Sequence, residues 1–296
     1  MKKKIFLILS LGLCFFVLVG AGCKNKNTGK LKVATTIFPL FDITKNIAGD
    51  KIGVVQILPL GASPHTFELT SAKAKELQNV SDIFMIGYGI DNWASSVKDT
   101  IGNVNLITVD KNINLRTAKG DEGLPEYGNK DPHYWLSINN AKEIALTIEQ
   151  ELERLDPANA QYYKNNLDNY LPKLDTLKND INNDFENLSS RKLVTFHDAW
   201  EYFAYEFNLQ IVATFEPFPG SEPTPKYLQD LSNTVKNENV RAIFSEPEFS
   251  NNVIQPFVND VGLQLYILDA EGNYYGNSYI DNMNGNAKIM KEGLNQ

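Results

Sequence analysis

One stretch limits the architecture of this chain more than any other. From Ala158 to about Leu188 the sequence keeps a helical period: Tyr163, Leu167, Tyr170, Leu171, Leu174, Leu177, Ile181 and Phe185 recur three and four residues apart. That spacing puts one apolar face along a long helix. Pro172 lies inside the run and predicts a kink. Thirty residues at ~1.5 Å rise span ~45 Å, enough to cross from one lobe of a protein to another.

On both sides of this helix the period changes. Before it, Lys32–Ile37, Ile52–Leu58, Asp82–Gly87 and Val104–Val109 read as apolar strands. Helical patterns over Leu40–Ala48, Ser71–Asn79 and Asn139–Leu155 alternate with them or close the series. After it, Lys192–Phe196, Gln210–Phe215, Val240–Ser245 and Gln264–Leu268 read as strands, with a helix over Trp200–Phe207. Strands alternating with helices predict parallel sheets covered on both faces. The expectation is an α/β fold of two parallel-sheet lobes, residues 31–156 and 190–296, joined by a single long helix over 157–189. Open parallel sheets bind ligands beyond the carboxyl ends of their strands, so two such lobes would share a cleft.

The N-terminus sets the compartment. Lys2, Lys3 and Lys4 precede an apolar-to-small run from Ile5 to Gly22, which ends at Cys23. This is the pattern of a secretory signal over 1–22. Val19-Gly20-Ala21-Gly22-Cys23 resembles a bacterial lipobox, in which Cys23 is lipidated, and residues 23–30 then form a polar tether. The rival is an uncleaved anchor, since the run is close to the ~18 residues that span a bilayer. Both readings put the rest of the chain outside the cytoplasm. Cys14 lies in the leader, so an exported domain of about 270 residues has no disulfide and relies on its core. Removing the three leader lysines from the 28 basic residues leaves 25 against 36 acidic, a net charge of −11. Such a surface argues against nucleic acid and anionic membrane as partners and mildly favours a cationic ligand.

The chain has three histidines. His65 follows the strand 52–58, His133 stands at the exit of the charged loop 116–131, and His197 ends the strand 192–196. Neutral imidazole is a good ligand for zinc, copper, nickel and iron, and three leave a fourth position for a carboxylate or water. Asp269, after the strand 264–268, follows a strand end as two of the histidines do. A lone histidine is more often structural, and no local motif of the H-E-x-x-H kind joins these three. Their common placement at loop ends is what points to a shared ion.

Five segments carry a resemblance: Gly61–Leu69 (GASPHTFEL), Asp131–Ser137 (DPHYWLS), Val194–Tyr202 (VTFHDAWEY), Ile243–Pro247 (IFSEP) and Leu268–Gly272 (LDAEG). In this order they resemble the zinc- and manganese-binding lipoproteins that serve as solute-binding subunits of ABC transporters. The resemblance covers residues 31–296 and implies the two-lobe fold. It carries His65, His133 and His197 over as metal ligands and Asp269 as the carboxylate, with Glu271 two residues away as its alternative. It departs where Phe67-Glu68-Leu69 replaces a Glu-Pro pair and where Ser137-Ile138 replaces Asp-Pro. The histidine-rich insertion of many zinc members is absent, since residues 116–130 contain no histidine.

His197 bears on the metal. Members resembling manganese binders carry a glutamate at that position, whereas this chain offers three nitrogens and one oxygen, a set that suits Zn2+ better than the harder Mn2+. Manganese or iron at the same site stays open. The implied partners are an ABC permease with its ATPase, and the membrane through the lipid anchor; a monomer is expected. Asp131 or Asp198 is expected to orient an imidazole, Glu246-Pro247 to shape the cleft wall, and Trp135 and Trp200 to pack beside the site. Imidazole chemistry puts the loss of affinity below about pH 6.5. Two other classes are open to the same residues: a surface adhesin on the same fold, and a zinc hydrolase, against which stands the absence of a base paired with a ligand.

Overall fold

The computed structural model describes residues 30–118, 128–216, 222–272 and 274–296. The leader, Cys23 and most of the tether lie outside the described residues. Among those described, no helix is long and apolar enough to cross a membrane.

Strands β1 (Lys32–Thr35), β2 (Gly53–Gln56), β3 (Val80–Met85) and β4 (Asn105–Thr108) form one parallel sheet in the order β2-β1-β3-β4. Strands β5 (Lys192–Thr195), β6 (Gln210–Thr214), β7 (Ala242–Ser245) and β8 (Gln264–Ile267) form a second in the order β6-β5-β7-β8. The two sheets thus have the same winding, although the sequence shows no repeat. All eight expected strands are present; seven are shorter than their apolar runs, and β3 keeps six residues but starts two earlier.

Helices α1 (Phe38–Ala48), α2 (Ser71–Glu76), α3 (Ser95–Ile101) and α4 (Ile138–Leu155) belong to the first half. Ser137 caps α4 by accepting from the backbone N–H of Asn140 at 3.2 Å. The long helix α5 covers Ala160–Asp184, entered through a 3-10 turn at Pro157–Asn159. Pro172 does not break it: the residue is exposed, where water can serve the carbonyl that the missing N–H frees. Helices α6 (Glu201–Glu206), α7 (Pro225–Asn237), α8 (Asn251–Val261) and α9 (Tyr279–Leu294) complete the second half.

The core explains how the halves are held. One buried cluster runs without a gap from Val33, Ile43 and Trp135 through Tyr163, Leu174 and Ile181 of α5 to Phe203, Phe244 and Met290. The apolar stripe of α5 is therefore shared: it packs on α1 and α4 of one lobe and α9 of the other. Two smaller clusters cover the outer faces of the sheets, one with Ile83 and Val97, the other with Val194, Ile243 and Phe257. A shared core resists the relative motion of the lobes, since packed interiors deform little.

Candidate metal centre

The carboxyl ends of both sheets face a common cleft. His65 lies in the turn-rich loop after β2, opened by Gly61 at φ 76°. Pro132 precedes His133, which is the N-cap of a 3-10 turn over Tyr134–Leu136. His197 follows β5, where the Thr195 hydroxyl donates to its carbonyl at 2.8 Å. Residues 68 and 132 positions apart in sequence are thus delivered to one point by loops from both lobes.

The three rings face each other with centroids 5.4, 5.5 and 5.9 Å apart. One ligand atom from each lies within 4.8 Å of the other two. The Nε2 atoms of His65 and His133 are 3.3 Å apart. Two nitrogens each about 2.0–2.1 Å from a tetrahedral zinc would stand about 3.3–3.4 Å apart. His133 and His197 are 1% and 3% exposed, and His65 is half-buried at the edge.

Carboxylates behind two of the rings leave their Nε2 atoms for the cleft. Asp131 Oδ1 takes both the backbone N–H of His133 and its Nδ1, each at 2.9 Å. Glu246 Oε1 stands 2.7 Å from His197 Nδ1. Glu246 also accepts from the Trp200 indole at 3.3 Å. Glu246, beyond β7, is thus a neighbour of His197, and Asp131 has the orienting place beside His133. Tyr202 reinforces Asp131 by donating to its carbonyl at 3.1 Å. A change of Asp131 to Ala should weaken metal binding by about 10- to 100-fold, the usual cost of losing such a support. Calorimetric titration measures it, and an unchanged affinity would contradict the orienting role.

Asp269 is not among the three converging residues. Its Oδ1 accepts from the backbone N–H of Glu271 (3.1 Å) and Gly272 (2.7 Å), and its Oδ2 from that of Tyr274 (2.8 Å). A carboxylate has about four lone-pair directions, so one remains for a cation. Gly272 is required: its φ is 93°, and a Cβ there would meet Phe38 Cδ1 at 2.3 Å. Trp135 donates to the Ala270 carbonyl at 2.8 Å and packs on His133 at 5.2 Å between centroids. Asn282 and Asn286 of α9 both donate to the Asp269 carbonyl at 2.8 Å, a support that no sequence signal announced.

Burial decides the charge states. It pushes the imidazoles of His65 and His133 well below their ordinary range, with neighbouring imidazoles adding to the effect. Burial likewise raises Asp131 to about 7 and lifts Asp269 and Glu271. The nitrogens of His65 and His133 are thus held neutral, with lone pairs available to a ligand. Such an arrangement is suited to a soft or borderline divalent metal.

Comparison with known proteins agrees with this chemistry. The family model described as zinc-uptake complex component A, periplasmic, matches residues 33–293. The manganese ABC transporter substrate-binding lipoprotein PsaA of Streptococcus mitis is 30% identical over 302 residues, 97% of each chain. A crystal structure of ZnuA superposes with a TM-score of 0.80 at 28% identity, covering 90% of this chain and 99% of that one. The solute-binding protein FpvC of Pseudomonas aeruginosa, solved with Mn2+, superposes at 0.78 with 28% identity, covering 90% and 98%.

Proposed function

Because this chain belongs to the zinc-uptake complex component A family, metal-binding components of ABC transporters, we propose that it captures Zn2+ outside the cytoplasm and hands it to a permease. His65, His133 and His197 bind the ion through Nε2, and a carboxylate of the 269–271 loop, Asp269 first, closes the set. The observation that carries this is the meeting of three imidazoles from both lobes, ligand atoms within 4.8 Å. Cys23 carries the lipid that holds the monomeric protein to the membrane.

Zinc is favoured over manganese by the donor set, three nitrogens and one oxygen. The manganese relative keeps the question experimental. Competition at equal concentrations decides it. Zinc should displace bound Mn2+ from the mature protein; retention of manganese against equimolar zinc would make this a manganese carrier. With the ion fully held by protein ligands, no water is activated, which suits transport and not hydrolysis. The shared core and the α5 stripe allow little lobe movement, so release calls for the permease to disturb the cleft loops.

The pH response follows from the imidazoles. A depressed pKa keeps His65 and His133 neutral at pH values where an exposed histidine, near 6.5, already gains its proton. Metal binds the neutral form, so the loss of affinity should begin below the ordinary imidazole range instead of at about 6.5. Titrations at pH 7, 6 and 5 test this; affinity falling steeply between 7 and 6 would contradict it.

A further inference from the structure

Outside the metal centre, a cavity of about 780 Å3 opens where the two lobes meet. The segment 114–117 and the start of α4 wall it from one lobe, Tyr202, Tyr205 and Glu206 of α6 from the other, and Lys178 of α5 lies between them. Among the described residues that line it are none of the metal ligands. The volume falls within the ~300–1,000 Å3 of small-molecule sites, which favour domain junctions.

The arginine in its wall is unlike the others. The chain has four arginines. Arg154 pairs with Asp82 and Glu151, Arg191 donates to the carbonyls of Phe185, Phe207 and Asn208, and Arg241 donates to that of Gln296. The guanidinium of Arg116 instead lies over the Tyr205 ring at 4.3 Å, and among the described residues no carboxylate or carbonyl receives its N–H groups. Those groups point outward from the edge of the stacked plane, in the fork that matches a carboxylate. Stacking therefore fixes the guanidinium and leaves its hydrogen-bonding edge for a partner.

Charge limits what that partner is. Lys178 stands 3.2 Å from Glu206 Oε1 and 3.0 Å from Asn139 Oδ1, and Glu206 also accepts from the backbone N–H of Asn139 at 3.3 Å. This pair cancels, so Arg116 is the one uncompensated charge among the described lining residues, in a chain of net charge −8. One positive charge matches a monoanion. A phosphate monoester brings nearly two negative charges at neutral pH, and no second cation is left to meet it. Asn114, Thr117 and Asn140 add amides and a hydroxyl to the wall, which suits a ligand rich in hydroxyls. Tyr205 is 73% exposed, so the ring face turned away from Arg116 is open to an apolar surface such as the C–H face of a sugar.

We propose that this cavity binds an acidic saccharide, with its carboxylate on the Arg116 fork and a sugar ring against Tyr205. The two side chains are in contact, so one ligand reaches both. The site asks nothing of the histidines and stands whether or not they hold zinc.

The test is a titration of metal-free mature protein, followed in the 1H–15N spectrum of the arginine Nε–H groups. Four such signals are expected, and Arg116→Gln identifies the one of interest by its loss. Glucuronate, glucose and acetate are compared at millimolar concentrations. Glucuronate should shift the Arg116 signal in a saturable way, with glucose and acetate each binding at least about tenfold more weakly, the worth of one charge-assisted hydrogen bond. Line broadening of glucuronate itself then reads the variants, their fold checked by circular dichroism. Arg116→Gln should weaken binding at least about tenfold, and Tyr205→Ala, at an exposed position that leaves the core untouched, about 2- to 10-fold. No saturable shift of the Arg116 signal with glucuronate would overturn the proposal. Equal binding of glucose would remove the anion from it, equal binding of acetate would remove the sugar, and glucuronate held as well by both variants as by wild type would place the ligand elsewhere; each refutes the assignment.

Discussion

Replacing His133 by Ala should lower metal affinity more than about 100-fold, beyond the 10- to 100-fold cost of losing an outer support. His133 is the most deeply held of the three rings. It is 1% exposed, its Nδ1 is fixed by Asp131, and Trp135 packs against it. Its Nε2 is the atom 3.3 Å from that of His65. Removing it leaves two nitrogens and a carboxylate already engaged by three backbone N–H groups. The linked consequence concerns stability. A metal that binds only the folded state adds about 4 kcal/mol at a thousandfold excess over its dissociation constant. Wild type should therefore melt higher with zinc than without, and the variant should show almost no shift. Thermal melts with and without zinc, beside calorimetric titration, check both. A variant that keeps its zinc-dependent shift would remove His133 from the ligand set.

Replacing Trp135 by Ala should be the most damaging single change to the fold around the site. The indole is fully buried at the junction of the lobes, and its carbonyl accepts from the Tyr279 hydroxyl of α9 at 2.7 Å while its Nε1 holds Ala270. Truncating such a side chain costs about 3–5 kcal/mol through lost burial and the cavity left behind. For a protein of this size about 2–4 °C of melting temperature follows each kcal/mol, so a fall of about 6–20 °C is expected. Trp135→Phe separates the causes. It keeps most of the volume and loses only the N–H, leaving the Ala270 carbonyl short of a partner at about 1–3 kcal/mol. A fall below about 3 °C for Trp135→Ala, in a scanning calorimeter on metal-free protein, would mean that the junction repacks around the gap.

Much of this architecture was legible in the chain. The period-2 and continuous apolar runs marked all eight strands, and the stripe from Tyr163 to Phe185 marked α5. The tight periodicity of α5 survived Pro172 because that residue is exposed. Helices α3, α7, α8 and α9 had no sequence assignment. Pro256 lies inside α8, and α9 is carried by an Asn- and Gly-containing run in which Gly285 packs against Tyr275. Such residues read as loop until tertiary contacts supply what propensity lacks. The common strand order of the two sheets was not legible either, because topology leaves no mark at residue level.

The site divides in the same way. Three histidines at loop ends were visible as candidates, since two sheets pointing their carboxyl ends at one cleft leave few other places for them to meet. Asp131 was visible because it sits two residues from His133. In sequence Glu246 reads only as part of the cleft wall, since it is far from His197 along the chain and the pairing of β5 with β7 brings the two together. Asn282 and Asn286 carried no signal at all: amides on a helix look the same whether they face water or a buried carbonyl.

The central claim is that three imidazoles from both lobes hold one zinc ion. X-ray absorption at the zinc edge of the mature, singly loaded protein tests it most directly. The expected spectrum has a four-coordinate first shell of nitrogen and oxygen at about 2.0–2.1 Å, with the multiple-scattering pattern of three imidazole rings. A first shell with fewer than three imidazoles, or one dominated by oxygen at longer distance, would contradict the account.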